Sequence, residues 1–261
     1  FGVRATDTAG NVGPETPRAF TLDVTPPAAP TFTATTPASL SNVNTPLVRG
    51  SAETDSTVTL YATPGCTGPI LGSGTAAVFS TPGVTATVPS DDVTTIHATA
   101  TDQAGNTSLC SPTSITYTED STPPATPSIV APLPPLVTND TTPTFTFTGD
   151  PGVTFQCSTL GAFVPCTSPF TPTIAVEGAH TFSVQAIDAA GNASTSATRA
   201  ITIDTTAPAG PTLVSPPPLV SNDTTPTFAF TGEAAGTFQC SISIGADAFA
   251  PCASPFTSAG L

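Results

Sequence analysis

Hydrophobic and polar residues alternate in Thr144-Phe-Thr-Phe-Thr148. A period of two sends successive side chains to opposite faces, so this segment predicts a half-buried strand with Phe145 and Phe147 inward. Phe228 and Phe230 repeat the pattern. In Thr181–Ala186 the inward set is Phe182, Val184 and Ala186, and in Thr94–Ala100 it is Ile96, Ala98 and Ala100. Ala200-Ile-Thr-Ile-Asp204 predicts a final strand, reached through the tight loop Asp188-Ala-Ala-Gly-Asn192. Glycine permits positive φ in such a loop, and an aspartate can bond amides across it.

The strands belong to a repeat. Thr6-Asp-Thr-Ala-Gly-Asn11 returns as Thr101-Asp-Gln-Ala-Gly-Asn106 and Ile187-Asp-Ala-Ala-Gly-Asn192, at spacings of 95 and 86 residues. Each copy is followed by a second marker: Asp23-Val-Thr-Pro-Pro27, Asp120-Ser-Thr-Pro-Pro124 and Asp204-Thr-Thr-Ala-Pro208. A third, Asn139-Asp-Thr-Thr-Pro143, recurs 83 residues later as Asn222-Asp-Thr-Thr-Pro226, with a degenerate copy at Asn42-Val-Asn-Thr-Pro46. This period is too long for a solenoid and suits a whole β-sandwich of about 100 residues. The expected division is a domain tail (1–27), two complete domains (28–124 and 125–208) and a domain head (209–261). Proline-rich segments between them predict stiff linkers.

Composition narrows the function classes. The chain has four arginines, no lysine and eighteen acidic residues, for a net charge of −14. No basic patch can be built from four arginines, which excludes nucleic-acid binding and attraction to an anionic membrane. No apolar run approaches the length of a membrane-spanning helix. Abundant Thr, Val, Phe and Pro with few helix formers agree with an all-β fold.

The markers Asp204-Thr-Thr-Ala-Pro208, Asn139-Asp-Thr-Thr-Pro143 and Asp188-Ala-Ala-Gly-Asn192 resemble those of bacterial immunoglobulin-like domains, arrayed in tandem in large surface adhesins and other secreted proteins. The resemblance implies tandem Ig-like β-sandwiches of about seven strands each, arranged as an elongated rod, and an extracellular or cell-surface location. It also implies calcium at linker aspartates, carried over to Asp120 and Asp204, with Asp23, Asp102 and Asp188 as further candidate ligands. Glu119 adds a carboxylate beside Asp120. Calcium takes six to eight oxygens, which converging carboxylates and carbonyls can supply. The same aspartates also suit turns, in which the carboxylate bonds nearby amides. No cofactor is otherwise required.

The six cysteines fall two to a domain, and the partition favours Cys66 with Cys110, Cys157 with Cys166, and Cys240 with Cys252. An even count in this setting predicts disulfides and an oxidising compartment. The second and third pairs occupy the same hairpin, with a longer tip in the later copy, and Cys66–Cys110 is expected to tie a mid-domain segment to the start of the last strand. Zinc is disfavoured, because no further Cys or His stands at ligand spacing.

Catalysis finds no motif. His97 is placed on an outward strand face, His180 just before a strand, and neither has a nucleophile nearby in sequence. The threonine row Thr144, Thr146 and Thr148 reads as a solvated strand face. The sequons at Asn106, Asn139, Asn192 and Asn222 all lie in turn motifs. The expected role is a non-enzymatic stalk of a bacterial surface adhesin or appendage. An alternative is a fibre subunit that assembles head to tail, the tail of one chain completing the head of the next by strand addition. Such a head, lacking two strands, would expose Phe228, Phe230 and Phe238. A further alternative is an accessory module of a secreted polysaccharide-active enzyme, which would need an exposed aromatic platform; the chain has no Trp and only Tyr61 and Tyr117.

Overall fold

The computed structural model describes residues 1–242 and 248–258. The chain is almost wholly β. At its start, β1 (Gly2–Val3) and β2 (Thr16–Pro17) form an antiparallel pair around the first Asp-x-Ala-Gly-Asn loop.

The first full sandwich has seven strands: β3 (Thr31–Thr36), β4 (Leu47–Ser51), β5 (Thr57–Tyr61), β6 (Ile70–Thr75), β7 (Val84–Thr85), β8 (Val93–Thr101) and β9 (Ile115–Thr118). One sheet runs β3-β4-β7 and the other β6-β5-β8-β9. Between them lies a core that includes Val48, Leu60, Phe79, Ile96 and Tyr117, all fully buried. The alternation in β8 sets this up, with Ile96, Ala98 and Ala100 at 0% exposure. Thr99 faces the other way yet is also buried. Thr59 lies opposite it on β5, and the chain at Ser108–Ser111 returns alongside to bond Ala100 and Ala98.

A one-turn helix, α1 (Ala76–Ser80), interrupts this sandwich, and nothing in the strand pattern foretells it. Thr75 caps it, accepting the Val78 amide on its hydroxyl. The helix drives Phe79 into the core, edge-on to Phe32 at 5.8 Å. Gly50 makes room, since a Cβ there would stand 2.3 Å from the Phe79 ring.

The second full sandwich is built from β10 (Ser128–Val130), β11 (Val137–Thr138), β12 (Thr146–Thr148), β13 (Thr154–Ser158), β14 (Val164–Cys166), β15 (Gly178–Ile187) and β16 (Ala197–Ile203). β10 pairs β12, while the opposing sheet runs β11-β16-β15-β13-β14. Strand β11 joins that sheet parallel to β16. The core centres on Phe145, Phe147, Phe182, Val184, Ile201 and Ile203. Phe145 and Phe182 stack with centroids 4.1 Å apart, which joins the two sheets. His180 lies within β15, not before it, because that strand begins at Gly178.

The last segment holds β17 (Thr212–Ser215), β18 (Thr227–Thr231), β19 (Phe238–Cys240), β20 (Ala250–Cys252) and β21 (Phe256–Thr257). They form the sheets β17-β18-β21 and β19-β20. The register Phe238↔Cys252 and Gln239↔Pro251 reproduces Phe155↔Cys166 and Gln156↔Pro165 of the second sandwich. The tip of this later hairpin, residues 243–247, lies outside the described residues.

All three cysteine pairs are bonded: Cys66–Cys110, Cys157–Cys166 and Cys240–Cys252. In each hairpin the bridge is diagonal, since Cys157 faces Val164 and Cys166 faces Phe155. The Cα–Cα distance of 5.8 Å is what a disulfide spans. Cys66 and Cys110 lie in loops, the latter in the connection ahead of β9 rather than at its first residue.

Candidate functional site at the joints between repeats

The Asp-x-Ala-Gly-Asn loop closes on itself. Asp188 Oδ1 accepts the Asn192 amide at 2.8 Å, and Oδ2 accepts Asn192 Nδ2 at 2.9 Å. Gly191 adopts φ +94°, a left-handed conformation that a side chain would strain. The loops at Asp102–Asn106 and Asp7–Asn11 carry the same pair of bonds. These contacts explain the acidity of the aspartates. The side-chain amides of Asn11 and Asn106 hold the Asp7 and Asp102 carboxyls below the ordinary aspartate range. At Asp188 desolvation pushes upward, but the bonds from Asn192 and the loop amides outweigh it and the net shift is downward.

The same asparagine reaches out of its own sandwich. Asn192 Nδ2 also lies 2.8 Å from the backbone carbonyl of Asp120, at the end of the preceding repeat. Asn106 Nδ2 is 3.2 Å from the carbonyl of Asp23, one repeat earlier. An amide NH₂ carries two hydrogens, so one fixes the loop and the other the joint.

The linkers are held at further points. Asp23, Asp120 and Asp204 each accept, on Oδ1, the amide two residues on, from Thr25, Thr122 and Thr206. From the preceding sandwich, Asp91 Oδ1 accepts the Ser121 amide at 2.8 Å, and Glu177 Oε1 accepts the Thr205 amide at 2.7 Å. Bonds from the Thr205 hydroxyl, then Thr206, hold the Glu177 carboxyl below its usual range. From the following sandwich, Glu53 accepts the Ala28 amide and Asp150 the Ala125 amide. Pro26-Pro27 and Pro123-Pro124 lie between these clamps and fix φ.

The candidate calcium ligands Asp23, Asp102, Asp120, Asp188 and Asp204 thus each direct carboxylate oxygen at amides within four residues. Among the described residues, no group of three or more His, Cys, Asp or Glu stands in a metal-holding arrangement. Glu119, expected to add a carboxylate beside Asp120, is buried in its own sandwich instead. Strand alternation turns it inward, where its Oε2 accepts the Asp91 amide at 2.6 Å.

Other expected residues stay apart from the joints. His97 is half-buried on β8 opposite Tyr61, and His180 bonds the Val176 carbonyl. The row Thr144, Thr146 and Thr148 is uneven, with Thr146 half-buried and Thr144 bonded to Thr171. Asn106 and Asn192 were legible only as turn residues. Glu53, Asp91, Asp150 and Glu177 lie outside the three sequence markers, and their signal is only that an acidic residue recurs at equivalent positions: Glu53 with Asp150, and Asp91 with Glu177.

Comparison with known proteins matches one part of the chain to a family. Residues 149–205, which run from the turn after β12 to the last linker, match the family model described as a bacterial Ig-like domain. No curated protein matches the chain. Among solved structures, the fibronectin(III)-like modules of Clostridium thermocellum CbhA share 21% identity, covering 61% of this chain and 83% of that one with a TM-score of 0.39. The BSP domain of a biofilm-associated protein shares 17% identity over 64% of this chain and 29% of its own, with a TM-score of 0.23. The FN1–FN3 domains of chicken CNTN1 share 9% over 89% and 87%, with a TM-score of 0.27.

Proposed function

We propose that this chain is a non-enzymatic extracellular spacer, the stalk of a bacterial surface protein, in which Ig-like sandwiches are held end to end at stiffened joints. The observation that carries this reading is the repeated bond from a loop asparagine to the linker carbonyl of the preceding repeat, Asn106 to Asp23 and Asn192 to Asp120. A flexible tether needs no such bond. A rod gains stiffness from it at both joints, and at the Asp120 joint the paired prolines and an acidic clamp on either side add to it.

Three disulfides support an oxidising, extracellular setting. The surface, acidic and free of lysine, suits a spacer that should not adhere along its length. An accessory module for polysaccharide binding finds less support. Tyr117 is fully buried with its hydroxyl on the Val43 carbonyl, and Tyr61 is half-buried.

Small-angle scattering of the whole chain tests the reading. A stalk gives a rod-like profile that Asn106→Ala with Asn192→Ala shifts toward a bent, broader distribution of lengths. A wild-type profile already that of freely jointed beads would overturn it.

A further inference from the structure

In both complete sandwiches the entering chain runs beside the leaving chain and in the same direction. In the first, Ser41 bridges Glu119 in parallel. The Ser41 amide donates to the Thr118 carbonyl at 3.3 Å, and the Asp120 amide donates back to the Ser41 carbonyl at 3.1 Å. Side chains lengthen this contact. Ser39 Oγ accepts the Thr118 amide at 2.9 Å, and the Tyr117 hydroxyl donates to the Val43 carbonyl at 2.9 Å. In the second, β11 pairs parallel with β16 at Val137↔Thr202 and Thr138↔Ile203. The Thr202 and Asp204 amides donate to the Leu136 and Thr138 carbonyls at 2.7 and 2.9 Å, and Arg199 Nη2 reaches the Pro134 carbonyl at 2.9 Å.

The two patches are equivalent in sequence. Ser41 and Thr138 stand just before the markers at 42–46 and 139–143, and Asp120 and Asp204 open the linker markers. Two of the three repeated motifs therefore flank the same contact. Its direction decides how it meets tension. If the first and last strands of a sandwich were antiparallel, pulling its ends apart would grip both strands at one end and peel their bonds one at a time. Parallel strands are gripped at opposite ends and slide along each other, so all the bonds between them are loaded together. The disulfides lie inside the patches. Cys66–Cys110 falls between Ser41 and Glu119, and Cys157–Cys166 between Thr138 and Ile203.

We propose that each complete sandwich is a load-bearing unit, in which the parallel patch resists end-to-end tension and the disulfide limits how much chain is released once the patch gives way. The direction of load rests on the stalk reading above. The first sandwich withholds more of itself from extension than the second, because its bridge spans 44 residues against 9. A stalk so built lengthens in short, bounded steps rather than running out to its full contour.

The test is optical tweezers on the whole chain, held by its two ends. Reduction identifies the steps: at about 3.5 Å per extended residue, it lengthens the opening step of the first sandwich by about 150 Å and that of the second by about 30 Å. Under constant force, Ser39→Ala with Tyr117→Phe shortens the lifetime of the first sandwich roughly thirtyfold and leaves the second unchanged, each lost bond being worth about a factor of five in rate. Arg199→Met shortens the lifetime of the second roughly tenfold or more, its donor being charged. Gln185→Ala is the control. It removes a 2.9 Å bond to Gln156 between β13 and β15, off the load path. It too lowers stability in urea, yet leaves the lifetime under load as in wild type. A first sandwich whose lifetime is unchanged in the Ser39→Ala/Tyr117→Phe variant, or a second that Gln185→Ala weakens under load as much as Arg199→Met does, overturns the proposal. The tweezers impose the direction of pull, so this outcome is independent of whether scattering finds stiff joints, and failure of the stalk reading is distinguished from failure of the patch.

Discussion

The Asn192 side-chain amide bridges two repeats, with Nδ2 2.9 Å from Asp188 Oδ2 in its own loop and 2.8 Å from the Asp120 carbonyl oxygen of the repeat before. The carboxylate holds the amide in place before the joint forms, so little freedom is lost on docking. Asp120 is itself anchored, its amide bonded to the Ser41 carbonyl of its own sandwich. Asn192→Ala removes both bonds. Each net hydrogen bond is worth about 1 kcal/mol. The expected result is a sandwich that still folds, about 1–2 kcal/mol less stable by urea unfolding, with altered relative orientation of the two sandwiches in residual dipolar couplings. Unchanged couplings would remove Asn192 from the joint.

Acid should loosen the same contacts. The Asp102, Asp188 and Glu177 carboxyls are held below their ordinary ranges when folded. A carboxyl so depressed adds stability that is fully present above its unfolded pKa, about 4, and is lost as pH falls through the lower folded value. Stability is therefore expected to be flat from neutrality down to about pH 5 and to fall steadily below about pH 4. Asp188→Asn abolishes its share of that slope. Urea midpoints for wild type and variant, compared across that window, decide the matter. Parallel curves would show that Asp188 titrates alike in folded and unfolded chains.

Much of the fold was legible because the relevant signal is local. Alternation in Thr144–Thr148 and Thr181–Ala186 identifies Phe145, Phe147, Phe182 and Val184 as core, and all are at most 2% exposed. Helix α1 was not legible, because five residues give no periodicity and its stability comes from Phe79 packing on Phe32 beside Gly50. The parallel pairing of β11 with β16 depends on where a proline-rich segment crosses between sheets, which no local pattern encodes. The joint was half legible. The aspartates and asparagines stood out by repetition, but Asn192 and Asp120 are 72 residues apart, and only the folded chain brings them together.

Reduction should affect the two complete sandwiches unequally. Cys66–Cys110 spans 44 residues and Cys157–Cys166 spans 9. On loop-closure entropy the longer bridge is worth about 4 kcal/mol and the shorter about 2.6 kcal/mol. Replacing both cysteines of the first pair by serine should lower the melting temperature of the first sandwich more than the matching change lowers that of the second. Calorimetry of the two double variants measures this. Equal losses would mean that native contacts around the bridges, rather than the closed loops, carry the stabilisation.

Phe182→Ala is the sharpest probe of how independent the repeats are. The ring is fully buried, stacked on Phe145 at 4.1 Å and packed near Phe147 and Phe170, so it ties both sheets of the second sandwich together. Truncating a buried phenylalanine costs about 3–5 kcal/mol, a large share of a domain's total of 5–15 kcal/mol. The first sandwich has a separate core built on Val48, Leu60, Phe79 and Tyr117. Amide exchange should therefore speed up by about two to four orders of magnitude along β13, β15 and β16, while β5 and β8 keep their protection. If protection falls equally in β8, the Asn192–Asp120 joint couples the two cores thermodynamically, and the repeats unfold as one unit rather than as separate modules.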